Sequence, residues 1–117
     1  MARISTHVLD TSQGRPAAGI AVSLCRIAAT GRELCASAVT NRDGRTDQPL
    51  LSGDRIPTGV YELIFEAGAY LRQQDLALPE PAFLDEVVIR FGIAEETGNY
   101  HVPLLLSPYG YSTYRGS

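Results

Sequence analysis

Residues 60–67 read Val-Tyr-Glu-Leu-Ile-Phe-Glu-Ala. Successive side chains of an extended strand point to opposite faces, so Tyr61, Leu63 and Phe65 share one side and Glu62 and Glu66 the other. The same period of two recurs along the chain, interrupted by Gly, Pro, Asn and Asp, and predicts an all-β domain. Strands are expected at 4–10, 20–28, 34–40, 46–50, 60–67, 86–93, 100–107 and 111–116. Turn chemistry falls between them: "SQGRPAAG" after the first strand, the Asp-Gly pair of "NRDGR", and "SGDRIPTG" before Val60. Residues 67–76, "AGAYLRQQDL", lose the alternation and carry good helix formers, which predicts about two helical turns before "PEP" ends them. Eight short strands and one small helix suggest a sandwich of two sheets.

The length of 117 residues fits one domain spanning 1–117, with no repeat, low-complexity tract or linker. A net charge of −3 gives no reason to expect nucleic acid or an anionic membrane as partner. All ten basic residues are arginine, so Schiff-base chemistry on a lysine amine is excluded. No segment has the length and hydropathy of a signal peptide or a membrane helix, which makes the cytoplasm the expected location. Cys25 and Cys35 would stay reduced there, although neighbouring strands would allow a bridge.

Strand parity places the two histidines. In the first strand Ile4, Thr6 and Val8 share one face, and Ser5, His7 and Leu9 the other. In "YHVPLLLS" Tyr100, Val102, Leu104 and Leu106 share one face, and His101, Pro103, Leu105 and Ser107 the other. The more apolar face belongs against the core, so both imidazoles should point outward. Leu9 and Leu105 accompany them, and a partly apolar outer face suggests cover by another subunit. Arg45, after the Asp43-Gly44 turn, could be no more than a solvated turn residue.

Other chemistries lack their residues. "GYSTY" has no second glycine for a nucleophile elbow. Neither histidine begins a His-Glu-x-x-His helix, and Cys25 and Cys35 lack zinc-ligand spacing. His7 and Asp10 face opposite ways on a strand and cannot share a metal. No glycine-rich loop precedes a helix to cradle phosphate. Composition and spacing alone stop at a β-sandwich with a histidine site.

The motifs "ISTHVLDTSQGRPAAGI", "NRDGRTDQPLL", "GVYELIFEAGAY", "FLDEVVIRFGI" and "YHVPLLLSPYGYSTYRGS" resemble the 5-hydroxyisourate hydrolases, the transthyretin-related enzymes of urate breakdown, over nearly the whole chain. The related hormone carrier shares something like "LLSPYGYST" but lacks the enzymes' histidines, arginine and Tyr-Arg-Gly-Ser tail. His7, Arg45, His101 and Tyr114 to Ser117 are present here, so the resemblance is to the enzyme branch; a non-catalytic small-ligand carrier is the alternative. The resemblance implies sheets of strand order D-A-G-H and C-B-E-F with a short helix after strand E. It also implies a homotetramer of two dimers whose cleft holds the active sites. His7, Arg45, His101 and Ser117 are the implied catalytic residues; Tyr114, Arg115 and Gly116 are the implied substrate-binding residues. Tyr114 is expected to project with Ser112, and Arg115 to assist Arg45 or brace the tail through an ion pair. The Ser117 hydroxyl and carboxylate would fix substrate or water, and Gly116 would allow close approach. The implied substrate is a small, flat, polar purinoid, and the step is hydrolysis of a ring amide without metal or organic cofactor. An imidazole of pKa about 6.5 suits the acid–base work, and a guanidinium fork suits the developing oxyanion.

Overall fold

Ala2, Ile4, Thr6, Val8 and Asp10 are buried in β1 (Ala2–Asp10), while Arg3 is exposed and Ser5, His7 and Leu9 are half-buried. This alternation runs through a computed structural model that describes residues 1–116. The elements after β1 are β2 (Arg15–Pro16), β3 (Ala21–Ala28), β4 (Gly31–Val39), β5 (Leu51–Gly53), β6 (Gly59–Glu66), α1 (Ala67–Arg72), β7 (Glu86–Ile93), β8 (Asn99–Ser107) and β9 (Gly110–Thr113).

One sheet has the order β2-β1-β8-β9, with β5 also paired to β1; the other has the order β4-β3-β6-β7. These are the two expected sheets. Ile4, Val8, Tyr100, Val102, Leu104 and Leu106 of the first meet Val22, Leu24, Tyr61, Leu63, Phe65 and Val87 of the second in a single core. Each such large side chain, fully buried, contributes roughly 1.5–3 kcal/mol. β1 and β8 run parallel, whereas β3, β4, β6 and β7 form a wholly antiparallel sheet in which β3 lies between β4 and β6.

Other strand ends shift by one to three residues and the short β2 is not among the expected strands; three differences have a visible cause. The strand expected at 46–50 lies at 51–53, because polar side chains capture the earlier backbone. Asn41 Oδ1 accepts from the Asp43 and Arg45 amides, Thr46 Oγ1 donates to the Gln48 carbonyl, and Pro49 has no amide to offer. The outer edge of β1 is therefore covered in pieces: β5 at Ala2 to Ile4, Arg45 as a single bridge at His7, and β2 at Leu9 and Asp10. The helix stops at Arg72 rather than reaching residue 76, and Gln74 Nε2 donates to the freed Tyr70 carbonyl. The last strand ends at Thr113 rather than 116, although the same register resumes where Gly116 bridges His101. Pro103, opposite Tyr114 in that register, lacks the amide the ladder would need.

Asp10 ties the end of β1 to α1. Its carboxylate accepts from Ser12, Gln13 and the Tyr70 hydroxyl, the last at 2.7 Å. Burial alone would raise this carboxyl, but those hydrogen bonds outweigh it and hold it below the usual value. Cys25 and Cys35 are both free. A β-bulge after Leu24 pairs Cys25 with Leu34 and Leu24 with Ala36, leaving Cys35 as the extra residue. Among the described residues no helix is long and apolar enough to cross a membrane.

Candidate active site

The parallel register sets Ser5 opposite His101 and His7 opposite Pro103. Both imidazoles therefore stand on the outer face of the first sheet, one register step of two residues apart. Their ring centroids are 6.5 Å apart and their planes tilt by 40°.

A tight turn brings Arg45 to them. The Asn41 amide donates to the Arg45 carbonyl at 2.7 Å, and the Gly44 amide donates to the Asn41 carbonyl at 2.9 Å. Gly44 has φ 77°, a left-handed conformation that glycine adopts without strain. Its carbonyl accepts from the Val8 amide at 2.8 Å, and a Cβ there would collide with the Val8 carbonyl oxygen. Glycine is thus required twice at this position, and Arg45 follows as the bridge partner of His7.

His101 is held on two sides. Ser5 Oγ lies 2.9 Å from its Nδ1. On the other side the Gly116 amide donates to the His101 carbonyl at 2.7 Å, and a Cβ on Gly116 would sit only 2.7 Å from His101 Cδ2. The tail therefore packs against the imidazole through a residue without a side chain.

The other tail residues are placed differently. In the register that pairs Gly116 with His101, Arg115 falls opposite Val102, on the core side. Its guanidinium stacks 4.2 Å from the centroid of the buried Tyr100 ring and donates to the Asn99 carbonyl. Arg115 is not brought to the histidines; among the described residues it braces the tail through a ring and a carbonyl and makes no ion pair. Tyr114 is 61% exposed and borders a cavity of about 310 Å³ at the open end of the sandwich, beside Phe91, Tyr100 and Arg115. It does not join the cleft that holds His101. Ser117 lies outside the described residues.

That cleft measures about 370 Å³ and is lined by Arg3, Ser5, Arg45, Asn99, His101 and the segment from Thr46 to Pro49. The size suits a small molecule, and the lining is polar. Burial, then the Arg45 charge, push the His7 pKa below 6.5, against the nearby Asp43 backbone and carboxylate, which favour its protonated form. Burial, then Arg45, His7 and Arg3, push His101 below 6.5 as well. Both rings are accordingly neutral near pH 7, where a neutral imidazole can take a proton from water. Arg45 supplies a fixed positive fork beside them. Among the described residues no three His, Cys, Asp or Glu side chains converge as a metal site requires. Ser5 and Arg3 are the contributors that strand parity alone did not single out.

Comparison with known proteins points the same way. Residues 4–116 match the HIUase/Transthyretin family. A 5-hydroxyisourate hydrolase of Pseudomonas aeruginosa is 56% identical over the whole chain and 93% of its own length. A 5-hydroxyisourate hydrolase structure from Klebsiella pneumoniae superposes with a TM-score of 0.82 at 38% identity, covering both chains completely. An (S)-allantoin synthase structure gives 0.91 at 39% identity, and there the match spans 99% of this chain but 44% of that one. Transthyretin of Sparus aurata gives 0.84 at 28% identity, over 97% of this chain and 96% of that one.

Proposed function

The chain belongs to the HIUase/Transthyretin family, and from that premise we propose that it hydrolyses 5-hydroxyisourate. The ring amide opens to give 2-oxo-4-hydroxy-4-carboxy-5-ureidoimidazoline. The observation that carries the reading is that His101 and Arg45 line one polar cleft, with the His7 ring beside it, 6.5 Å from that of His101 and bridged through its backbone to Arg45. The names of relatives at 40–58% identity support it.

Water attacks an amide carbonyl poorly unless a base removes its proton. One imidazole takes that proton as the water oxygen bonds to the carbonyl carbon. The carbonyl oxygen becomes negative, and the Arg45 fork stabilises it; removal of one such donor typically costs about 10²–10³ in rate. The carbon–nitrogen bond then breaks, the nitrogen takes the proton, and the carboxylic acid so formed releases its remaining proton to solvent and leaves as the carboxylate. The other imidazole orients the water or assists the proton transfer. Gly116 keeps the tail close to His101. The polar lining disfavours the apolar ligand of a carrier.

A second pair of protomers closing over this face completes the proposal. Leu9 and Leu105 lie opposite each other in the register and are half-buried on the same face as the histidines, the kind of surface a subunit contact covers. The cytoplasm, where both thiols stay reduced, is the proposed location. The decisive experiment follows the ultraviolet decay of freshly made 5-hydroxyisourate, corrected for spontaneous breakdown, with wild type and His101→Asn. Acceleration by wild type that falls to background in the variant supports the reading; decay unaffected by wild type refutes it. Sedimentation alongside the assay tests the assembly, and a monomer of full specific activity refutes the shared cleft.

A further inference from the structure

Ser5 is hydrogen-bonded to a proposed catalytic ring, and the scheme above leaves it without a role. It stands directly across the parallel ladder from His101, 96 residues away in sequence, with its Oγ 2.9 Å from Nδ1. The two groups can bond in either direction. If the ring donated from Nδ1, the half-buried hydroxyl would have only cleft solvent to take its own proton, since among the described residues it has no other partner. If the hydroxyl donates, its proton is satisfied and Nδ1, a strong acceptor, is used. The remaining ring proton is then on Nε2.

We infer that Ser5 is a positioning residue that holds neutral His101 in its Nε2–H form, making His101 a hydrogen-bond donor to substrate and leaving His7 as the base. His7 is complementary: a neutral imidazole keeps a lone pair on one nitrogen, and the nearby Asp43 backbone and carboxylate favour the protonated form that His7 reaches on taking a proton. The close approach of Gly116 restrains the His101 ring on its far side. The burial and neighbouring guanidinium charges that keep His101 unprotonated suit it to donate as a neutral group. In proton terms, water gives its proton to His7. The carbonyl oxygen gathers charge facing Arg45 and His101 Nε2–H. When the carbon–nitrogen bond breaks, the same proton passes from His7 to the leaving nitrogen. His101 keeps its proton throughout.

The catalytic half of this inference rests on the hydrolase reading; the tautomer does not. Ring-nitrogen NMR of the wild-type protein, at a pH where both rings are neutral, reads the tautomer directly, with the His101 signals identified by their loss in His101→Asn. The expected result is Nε2–H, and Nδ1–H would overturn the inference. Kinetics of Ser5→Ala and Ser5→Thr supply the second arm. Ser5→Ala should lower kcat about tenfold with KM unchanged within about twofold, the scale of one lost orienting hydrogen bond, and Ser5→Thr should restore it. An unchanged kcat, an equal loss in Ser5→Thr, or a loss that follows melting temperature would each overturn the positioning role. If wild type does not accelerate substrate decay, the hydrolase reading falls, and the NMR result alone decides what Ser5 does to His101.

Discussion

Replacing Gly116 with alanine adds one methyl group at a defined place. The new Cβ would meet His101 Cδ2 at 2.7 Å, and His101 Cβ and Cγ at 3.3 Å. Carbon–carbon contacts settle near 3.5 Å, so the ring or the tail must yield by about 0.8 Å. The ring is the poorer candidate to absorb this, because Ser5 holds Nδ1 and the Gly116 amide holds the His101 carbonyl. A displacement of about 1 Å in a reacting group can cost about 10² in rate, equivalent to about 2.7 kcal/mol of barrier. Backbone strain is not at issue, since Gly116 is outside the left-handed region. The expected outcome is thus a kcat/KM lowered about a hundredfold with a melting temperature within a few degrees of wild type. Substrate decay corrected for the spontaneous rate, together with a thermal melt, measures both. A variant within about threefold of wild-type activity would refute the close-packed tail as part of the site, and so would an activity loss explained by unfolding.

Arg45→Lys keeps the charge but loses the planar fork, and should reduce kcat by about 10²–10³ with little change in melting temperature. Activity should fall as pH drops below the lowered imidazole values, because the base must be unprotonated; a pH–rate profile with its acid limb above 6.5 would contradict this. The unfolded chain binds those protons near 6.5 and the folded chain only at lower pH. Stability should therefore be fully present above 6.5 and decline as pH falls through it, read as melting temperature between pH 8 and 5. Glu62 is 4% exposed and accepts from Arg32 Nε at 2.7 Å and Arg90 Nε at 2.9 Å. Glu62→Gln should cost about 1–2 kcal/mol, the guanidiniums being largely solvated, and leave turnover per folded molecule unchanged.

Strand interiors were legible because alternation is enforced by the core. Tyr61, Leu63 and Phe65 inward and the two histidines outward follow from parity alone. Element ends were less legible, because side-chain hydrogen bonds and missing amides decide them. Asn41, Thr46 and Pro49 moved one strand by several residues, and Pro103 cut another short. Parity also separates Arg115 from Gly116: adjacent residues on an extended tail face opposite ways, so a motif read as a unit splits between a brace on Tyr100 and a contact with His101. Ser5 gave no signal of its own. Its role depends on register between strands at opposite ends of the sequence, visible only once β1 and β8 are paired residue by residue.

That pairing has a temporal consequence for biosynthesis. A ribosome adding roughly 5–20 residues per second needs about 5–20 s to travel from position 7 to position 101. During that interval the β3–β4 hairpin and the longer-range β3–β6 pairing can form, but β1 has only the short β2 and β5 as neighbours. Its long inner ladder waits for β8. The cleft that holds His101 therefore cannot form until β8 has been translated, and β1 is the segment most exposed to rival pairings before then.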